Sequence, residues 1–521
     1  MLNVLLWMPL AIGVLCLIIP HRAAPWVATL GALSRLGLAI ALVVGFDLGV
    51  SELQHVVDES WIPDLGVRYS LGIDGVSVFL VLLTALLWAG VISFSALRGH
   101  HGERGRRRLF YFLLGLGETA TLGAFLAQDL LLFVLFFDLM LIPFFFLIGI
   151  FGGENRIAAT TKMIVYTLVG SLLMLVGAIA TAILVAQDTG ELSFAIADLR
   201  ANLLSTASQE WIFCFFAAAF LVKMPAFPIH GWMPDAYRAA PLPVLVLLSG
   251  VLAKVGAYGF LRIVLPIYPD ATVTFQEIVM VIAVASILYG SVMAFTQNNV
   301  RLVAGYSSVA QLGFITLGIF SLRPDGADGA VLQMVNHGLV VGAIFLIIAI
   351  LFERARTEDL TRMGGLATRA PVLAALFLVV TLATLAMPGS ANFIGEFYIL
   401  NGAFQEKIAF AVVAATGVAL AAFYALRLYQ RTMHNRLPEG VESREISARD
   451  GLVLTPLVAC IVALALWPGL ILERGEASVE DKVGAVASRG SEGGTPDVAA
   501  NDAFRSHSDR KASIPTLITA E

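Results

Sequence analysis

The sequence predicts an all-α polytopic membrane protein of about 14 transmembrane helices, with two inverted five-helix repeats and with its seventh and twelfth helices broken. Composition is the first reason: 58% of the 521 residues are hydrophobic and 14% are charged, against roughly a quarter charged in soluble domains. Length is the second. Apolar runs of about 18 to 25 residues recur from end to end, each sufficient for a helix to cross a hydrocarbon core about 30 Å thick. Lipid satisfies no backbone group, so only helices and closed barrels span it, and these runs lack the alternation of barrel strands. The third reason is a pair of proline-bearing interruptions five spans apart.

Spans are expected near 2–19, 25–46, 76–97, 109–127, 130–151, 160–187, 210–237, 241–264, 272–295, 301–321, 329–352, 371–404, 408–430 and 449–472. They group into N-terminal helices 1–3 (1–108), a first five-helix repeat (109–264), a second (265–430) and a final helix (431–474). Residues 475–521 are rich in Ser, Gly, Asp and Glu without periodicity and are expected to form a disordered polar tail. The first apolar run lacks a basic leader and a small-residue cleavage site, so it is expected to stay as the first span. Arginines gather in the loops 98–108, 353–370 and 427–450, all on one side of this segmentation, while Asp47, Glu52, Asp58, Asp188 and Asp325 fall on the other. Basic loops mark the cytoplasmic side, which places both termini away from the cytoplasm. These arginine clusters read as anchors to anionic lipid headgroups. Cys16, Cys214 and Cys460 each sit alone in an apolar run, so they read as packing residues, and neither a metal nor a disulfide is expected.

An ionisable group deep in a span costs several kcal/mol unless paired or hydrated, which makes it a functional candidate. Such groups are Arg35, Glu118, Asp138, Lys223, Lys254, His337 and Glu396, with Lys162 near enough to a helix end to reach the interface. Two of them stand at breaks. Pro225 and Pro228 follow Lys223 in the seventh span, and Pro388-Gly389 precedes Glu396 in the twelfth. Proline removes a backbone donor and disrupts the helix, and irregular backbone in a bilayer survives only beside protein or a hydrated cavity. Five is an odd number of spans, so a repeat of that length inserts inverted. Matching discontinuous helices in two such halves point to a transport site. A buried lysine's charge depends on whether a carboxylate is near it, which gives Asp138, Lys223 and Lys254 the electrostatics of a proton relay. His337 adds a group that titrates near neutrality. The bland alternatives are structural kinks and a static salt bridge.

Several segments carry a family resemblance: Leu71 to Ser77 (LGIDGVS), Lys162 to Leu175, Lys223 to Asp235 (KMPAFPIHGWMPD), Gly305 to Gly313, Asn336-His337-Gly338 and Gly395-Glu396-Phe397. The sequence resembles the antiporter-like subunits of respiratory complex I, NADH:quinone oxidoreductase, over most of residues 60–470, and among them the chain M type. The resemblance implies 14 helices and a central hydrophilic axis. It places that axis's acid on the fifth helix at Asp138, its lysines at Lys223 and Lys254, its histidine at His337 and its exit acid at Glu396. Glu at this last position, and the lack of a long lateral helix, favour M over the sibling chains L and N. Glu118 and His230 are auxiliary candidates. Three departures stand out: Asp138 where Glu is usual, Gln311 where His is frequent, and Tyr237 where His often follows Pro-Asp-Ala. Arg35 has no role in the motif.

The resemblance further implies a multi-pass subunit of the bacterial inner membrane that translocates protons while quinone is reduced elsewhere. It would hold no cofactor, contact L and N in the membrane arm, and bind no nucleic acid. A membrane subunit of a cation/proton antiporter, the membrane arm of a hydrogenase and a structural scaffold remain as alternatives.

Overall fold

The structure, a computed structural model, describes residues 1–99, 104–438 and 441–492. Helices α1 (Leu2–Ile18) and α2 (Ala24–Val44) lead into an antiparallel hairpin, β1 (Gln54–Ile62) and β2 (Val67–Ile73), in which Val57 pairs with Leu71 and Glu59 with Tyr69. This hairpin, in a stretch expected only to connect spans, has a partly exposed β1 and a largely buried β2. There follow α3 (Ser77–Arg98), α4 (Arg104–Leu126), α5 (Leu130–Leu139), α6 (Leu141–Phe151), α7 (Arg156–Thr189), the short α8 (Ile196–Ala201), α9 (Thr206–Lys223) and α10 (Met233–Ala239). Next, α11 (Leu242–Leu247), α12 (Ala253–Gly259) and α13 (Leu265–Ile267) are joined by π-helical turns into one rod. The rest are α14 (Pro269–Thr296), α15 (Val300–Phe320), α16 (Pro324–Ala355), α17 (Pro371–Thr384), α18 (Ala391–Glu406), α19 (Ile408–Met433), α20 (Ala448–Leu466) and α21 (Gly469–Glu492).

Among the described residues, eleven helices are long and apolar enough to cross a membrane. Burial sorts them into inner and outer positions. The α11–α13 rod and α15 bury every residue of their most apolar stretch and α16 nearly all, whereas α2, α14, α19 and α20 bury less than half. Polar groups on the inner helices therefore face protein, and apolar side chains on the outer ones are left for lipid. Association in lipid relies on close packing more than on hydrophobicity, which favours small residues at contacts. Gly290 of α14 is such a case, since a side chain there would run into the Ala310 amide and the Tyr306 carbonyl of α15.

The polar tail does not begin where the sequence suggested. Residues 469–492 form α21, and only the 493–521 portion of the expected disordered segment lies outside the described residues. Ile471, Val479, Val483 and Val486 recur at helical spacing and are buried together with Ser478 and Lys482, so a helix period hides inside a hydrophilic composition. Lys482 reaches Asp74, 2.7 Å away, and Arg262 of the α11–α13 rod meets the same oxygen at 2.8 Å. Gly75 lets the two segments touch, because a Cβ there would fall on the Arg474 carbonyl, and its amide donates to Ser478 Oγ at 3.0 Å. Burial alone would raise the Asp74 carboxyl, but Lys482 and Arg262 outweigh it and hold the group well below the usual carboxylate range.

A depressed carboxylate contributes stability above its unfolded pKa and loses it only as pH falls through the folded value. Docking of α21 should thus persist through about pH 4, the ordinary carboxylate range. Asp74→Asn strands two buried cations and should cost about 3–5 kcal/mol, whereas Lys482→Met leaves the Asp74–Arg262 pair neutral and should cost less than half of that. Limited proteolysis within 469–492 of the assembled protein, in both variants and across pH, reads this order.

Candidate functional site

Both interruptions fall where the prolines place them. α9 stops at Lys223 and helix resumes at Met233; α17 stops at Thr384 and helix resumes at Ala391. Ala386 and Gly389 in the second break take positive φ, 52° and 89°. Backbone groups freed by a break in lipid must be satisfied internally, and they are. Ser286 Oγ of α14 accepts from the Phe227 amide at 3.0 Å, Trp232 Nε1 donates to the Val222 carbonyl at 3.0 Å, and Asn336 Nδ2 of α16 donates to the Ala391 carbonyl at 2.7 Å.

At the first break the buried Lys223 ammonium donates to the Phe137 carbonyl at 3.4 Å and sits 4.4 Å from the centre of the Phe137 ring. Asp138 is the next residue on α5 and is half-buried. Its Oδ1 has no hydrogen-bond partner among the described residues, and no ion pair within 4 Å joins it to Lys223. Ser171 of α7 holds the Asp138 carboxyl, and the Phe137 carbonyl and ring support the Lys223 cation directly. A cavity of about 20 Å³ lined by Lys223, Thr167, Trp232, Tyr237 and Ala253 has room for about one water. It lies between Lys223 and the turn that carries Lys254.

Lys254 is fully buried and donates to the Ser249 carbonyl at 2.6 Å, while the Ser249 hydroxyl lies 2.9 Å from that of Ser308 on α15. The π-helical turn Leu248–Leu252 directly precedes it; such turns re-aim side chains and recur at functional sites. His337, in the middle of α16, is near enough to Lys254 to feel its charge, and neither ring nitrogen has a partner among the described residues. Beyond it, Gln333 Nε2 donates to Gln311 Oε1 at 2.6 Å, and Gln311 Nε2 donates to Glu396 Oε1 at 2.8 Å. Glu396 Oε2, the Tyr424 hydroxyl and both amide atoms of Asn392 are buried without partners among the described residues. Buried polar atoms are seldom left unpaired, so this concentration beside the second break marks a place suited to water or a mobile proton.

Two auxiliary candidates fall elsewhere. Glu118 does not supplement Asp138: it is held by Arg35 in a two-pronged ion pair, Nε to Oε1 at 3.0 Å and Nη2 to Oε2 at 2.5 Å, both side chains being buried between α2 and α4. This also gives Arg35 the partner that the motif could not name. His230 sits among aromatic rings, 4.8 Å from Tyr289 and 5.9 Å from Phe227, and no hydrogen bond among the described residues links it to Lys223. Lys162 reaches Asp235 at 2.8 Å in a half-exposed pair, as expected of a residue near the interface. The sequence reading missed Gln333, Tyr424 and Asn392 on the polar row; polar residues inside otherwise apolar spans were the available signal.

Fold and site together define a class: a polytopic membrane subunit with two broken helices and a buried row of titratable groups, of the antiporter-like kind. The profile described as "NADH:quinone oxidoreductase/Mrp antiporter, TM" matches residues 127–421, and the chain belongs to that family. NADH-quinone oxidoreductase subunit M of Rhodobacter capsulatus is 36% identical over 490 residues, covering 91% of this chain and 94% of the relative. The resemblance to the chain M type is therefore borne out. Among solved structures, a chain of respiratory complex I from Thermus thermophilus with bound NADH superposes with a TM-score of 0.85 at 30% identity, covering 93% of this chain and all of that one. A chain of the Mrp complex from Dietzia sp., at 22% identity, shares the fold with a TM-score of 0.80 over 93% of this chain and 98% of its own.

Gln311→Leu removes the donor that fixes Glu396 and leaves Gln333 unpaired. A hydrogen bond to a charged group contributes about 1.5–3 kcal/mol, so proton transfer through this end should slow by roughly ten- to a hundredfold. Initial rates of fluorescence quenching by a pH dye in proteoliposomes check this.

Proposed function

We propose that the chain is the proton-translocating, antiporter-like membrane subunit of a bacterial NADH:quinone oxidoreductase. On this reading it moves protons along Asp138, Lys223, Lys254, His337 and Glu396 while quinone is reduced elsewhere in the assembly. The observation that carries it is the buried polar row between the two helix breaks, in a chain whose relatives bear the name subunit M. A charge change arriving from a neighbouring subunit draws the Lys223 ammonium off the Phe137 carbonyl toward Asp138 or away from it. The altered field then displaces the proton held around Lys254 and His337 toward Glu396, as charges in a low-dielectric interior act strongly on one another. Glu396 accepts on Oε2, the oxygen that Gln311 leaves open.

The same reading counts 14 crossings, taking α1 and each broken helix as one crossing beside the eleven long helices. It relates helices 4–8 to helices 9–13 as inverted repeats, sets both termini on the non-cytoplasmic side, and makes sibling chains L and N the neighbours. The subunit is read as non-redox and without flavin, haem or iron–sulfur cluster, since its sequence carries neither a cysteine set nor a dinucleotide fingerprint. A cation/proton antiporter subunit is the second reading, which the Mrp-like fold favours.

Lys223→Ala and Glu396→Gln, each in the assembled complex reconstituted in proteoliposomes, are expected to keep NADH oxidation by an artificial acceptor while proton uptake coupled to quinone reduction falls at least about tenfold. An assembled complex that pumps at the native rate in both variants would show a scaffold. Na⁺-driven proton exchange without NADH would favour the antiporter.

A further inference from the structure

At the arginine-rich end of the bundle, the ends of α3, α6, α7, α10, α15 and α16 enclose a cavity of about 590 Å³. That is within the range of small-molecule sites. Arg98, Arg106, Arg156, Arg238, Arg301 and Arg356 line it, against a single carboxylate, Glu353. Three of the six are held: Arg98 by Glu353 and Asp450, the buried Arg301 by Glu358 and the Ala240 carbonyl, and Arg156 by the Gly149 carbonyl at 2.9 Å and the Gly152 carbonyl at 3.4 Å. Among the described residues, Arg106, Arg156, Arg238 and Arg356 have no carboxylate within 4 Å, and all four are exposed. Arg156 also opens the 34-residue α7, whose N-terminus carries no side-chain cap, so the positive end of that helix adds to the same field. Phe94, Phe151 and Phe352 supply apolar walls.

Such a field repels a hydrated proton, which argues against a proton inlet, and it suits an anion. Guanidinium forks match the oxygens of a phosphate, and apolar walls beside them match the glycerol and upper acyl region of a lipid. We propose that this cavity binds a phosphate group, carried by an anionic phospholipid or present as free phosphate. Arg98 and Arg301 form its fixed floor, and the four exposed arginines close over it. The site stands apart from the buried relay and does not depend on what that relay does.

The test uses the whole assembled complex, stripped of lipid in detergent and then given phosphatidylglycerol or phosphatidylcholine in nanodiscs, or inorganic phosphate in detergent. Hydrogen exchange of peptides covering 150–157, 237–243 and 352–358 is the readout. Protection by phosphatidylglycerol but not phosphatidylcholine or inorganic phosphate supports the lipid source, and protection by inorganic phosphate alone supports the free anion. The combined variant Arg156→Gln, Arg238→Gln, Arg356→Gln should shift half-saturation at least about tenfold, with lysine at the same positions falling between. Equal protection by both lipids, or none by any probe in the wild-type complex, overturns the proposal, and that arm does not depend on any variant folding.

Discussion

A helix interrupted inside lipid cannot leave its amides and carbonyls to solvent, and much of this structure follows from that requirement. Each break is satisfied by polar groups close by: Ser286 of α14 and Trp232 of the break itself at the first, Asn336 of α16 at the second. The rod α11–α13, α15 and α16 are wrapped in protein, while α2, α14, α19 and α20 keep lipid-facing sides. Once polar side chains are gathered at two depths, the ground between them becomes the least costly place in the membrane for a charge. Lys223, Lys254, His337 and Glu396 all occupy that ground.

Pairing sets two groups of buried charges apart. Arg35 with Glu118, Asp74 with Arg262 and Lys482, and Arg98 with Glu353 and Asp450 are closed sets in which every cation has a carboxylate within reach. None of Asp138, Lys223, Lys254, His337 or Glu396 has a counter-ion within 4 Å among the described residues; each rests on a carbonyl, an amide, a hydroxyl or nothing. A closed pair is locked, because removing its proton or its partner strands a charge. A group held only by a dipole keeps both protonation states accessible. The first kind joins helices, and the second is suited to relay.

How much of this was legible in the sequence depended on whether a feature is local. Helix positions followed from hydropathy alone, and Pro225, Pro228 and Pro388 placed the breaks because proline acts on its own turn. Lys223 and Glu396 stood out for the same reason. What escaped depends on partners distant in the chain. Arg35 had no role until Glu118, 83 residues away, was seen beside it. Lys482 lay in a stretch whose composition reads as solvated tail, and only the 479, 483, 486 spacing of valines betrayed a docked helix. Arg262, two residues from the end of the expected eighth span, did not meet the criterion of depth that selected Lys254, and only its partner Asp74 shows its place.

Gln311 shows how a departure from the usual residue type is absorbed. A glutamine cannot pass a proton by gaining one and losing another, as imidazole does, so it interrupts a simple histidine-to-glutamate chain. It does something narrower. By accepting from Gln333 and donating to Oε1, it fixes the glutamate's orientation and leaves Oε2 buried and open. The Gln311 amide thereby orients the buried Glu396 carboxyl without itself gaining or losing a proton. On the proposed reading the proton passes from His337 to Glu396 without residing on Gln311, which acts as a positioning group where a histidine would be a carrier.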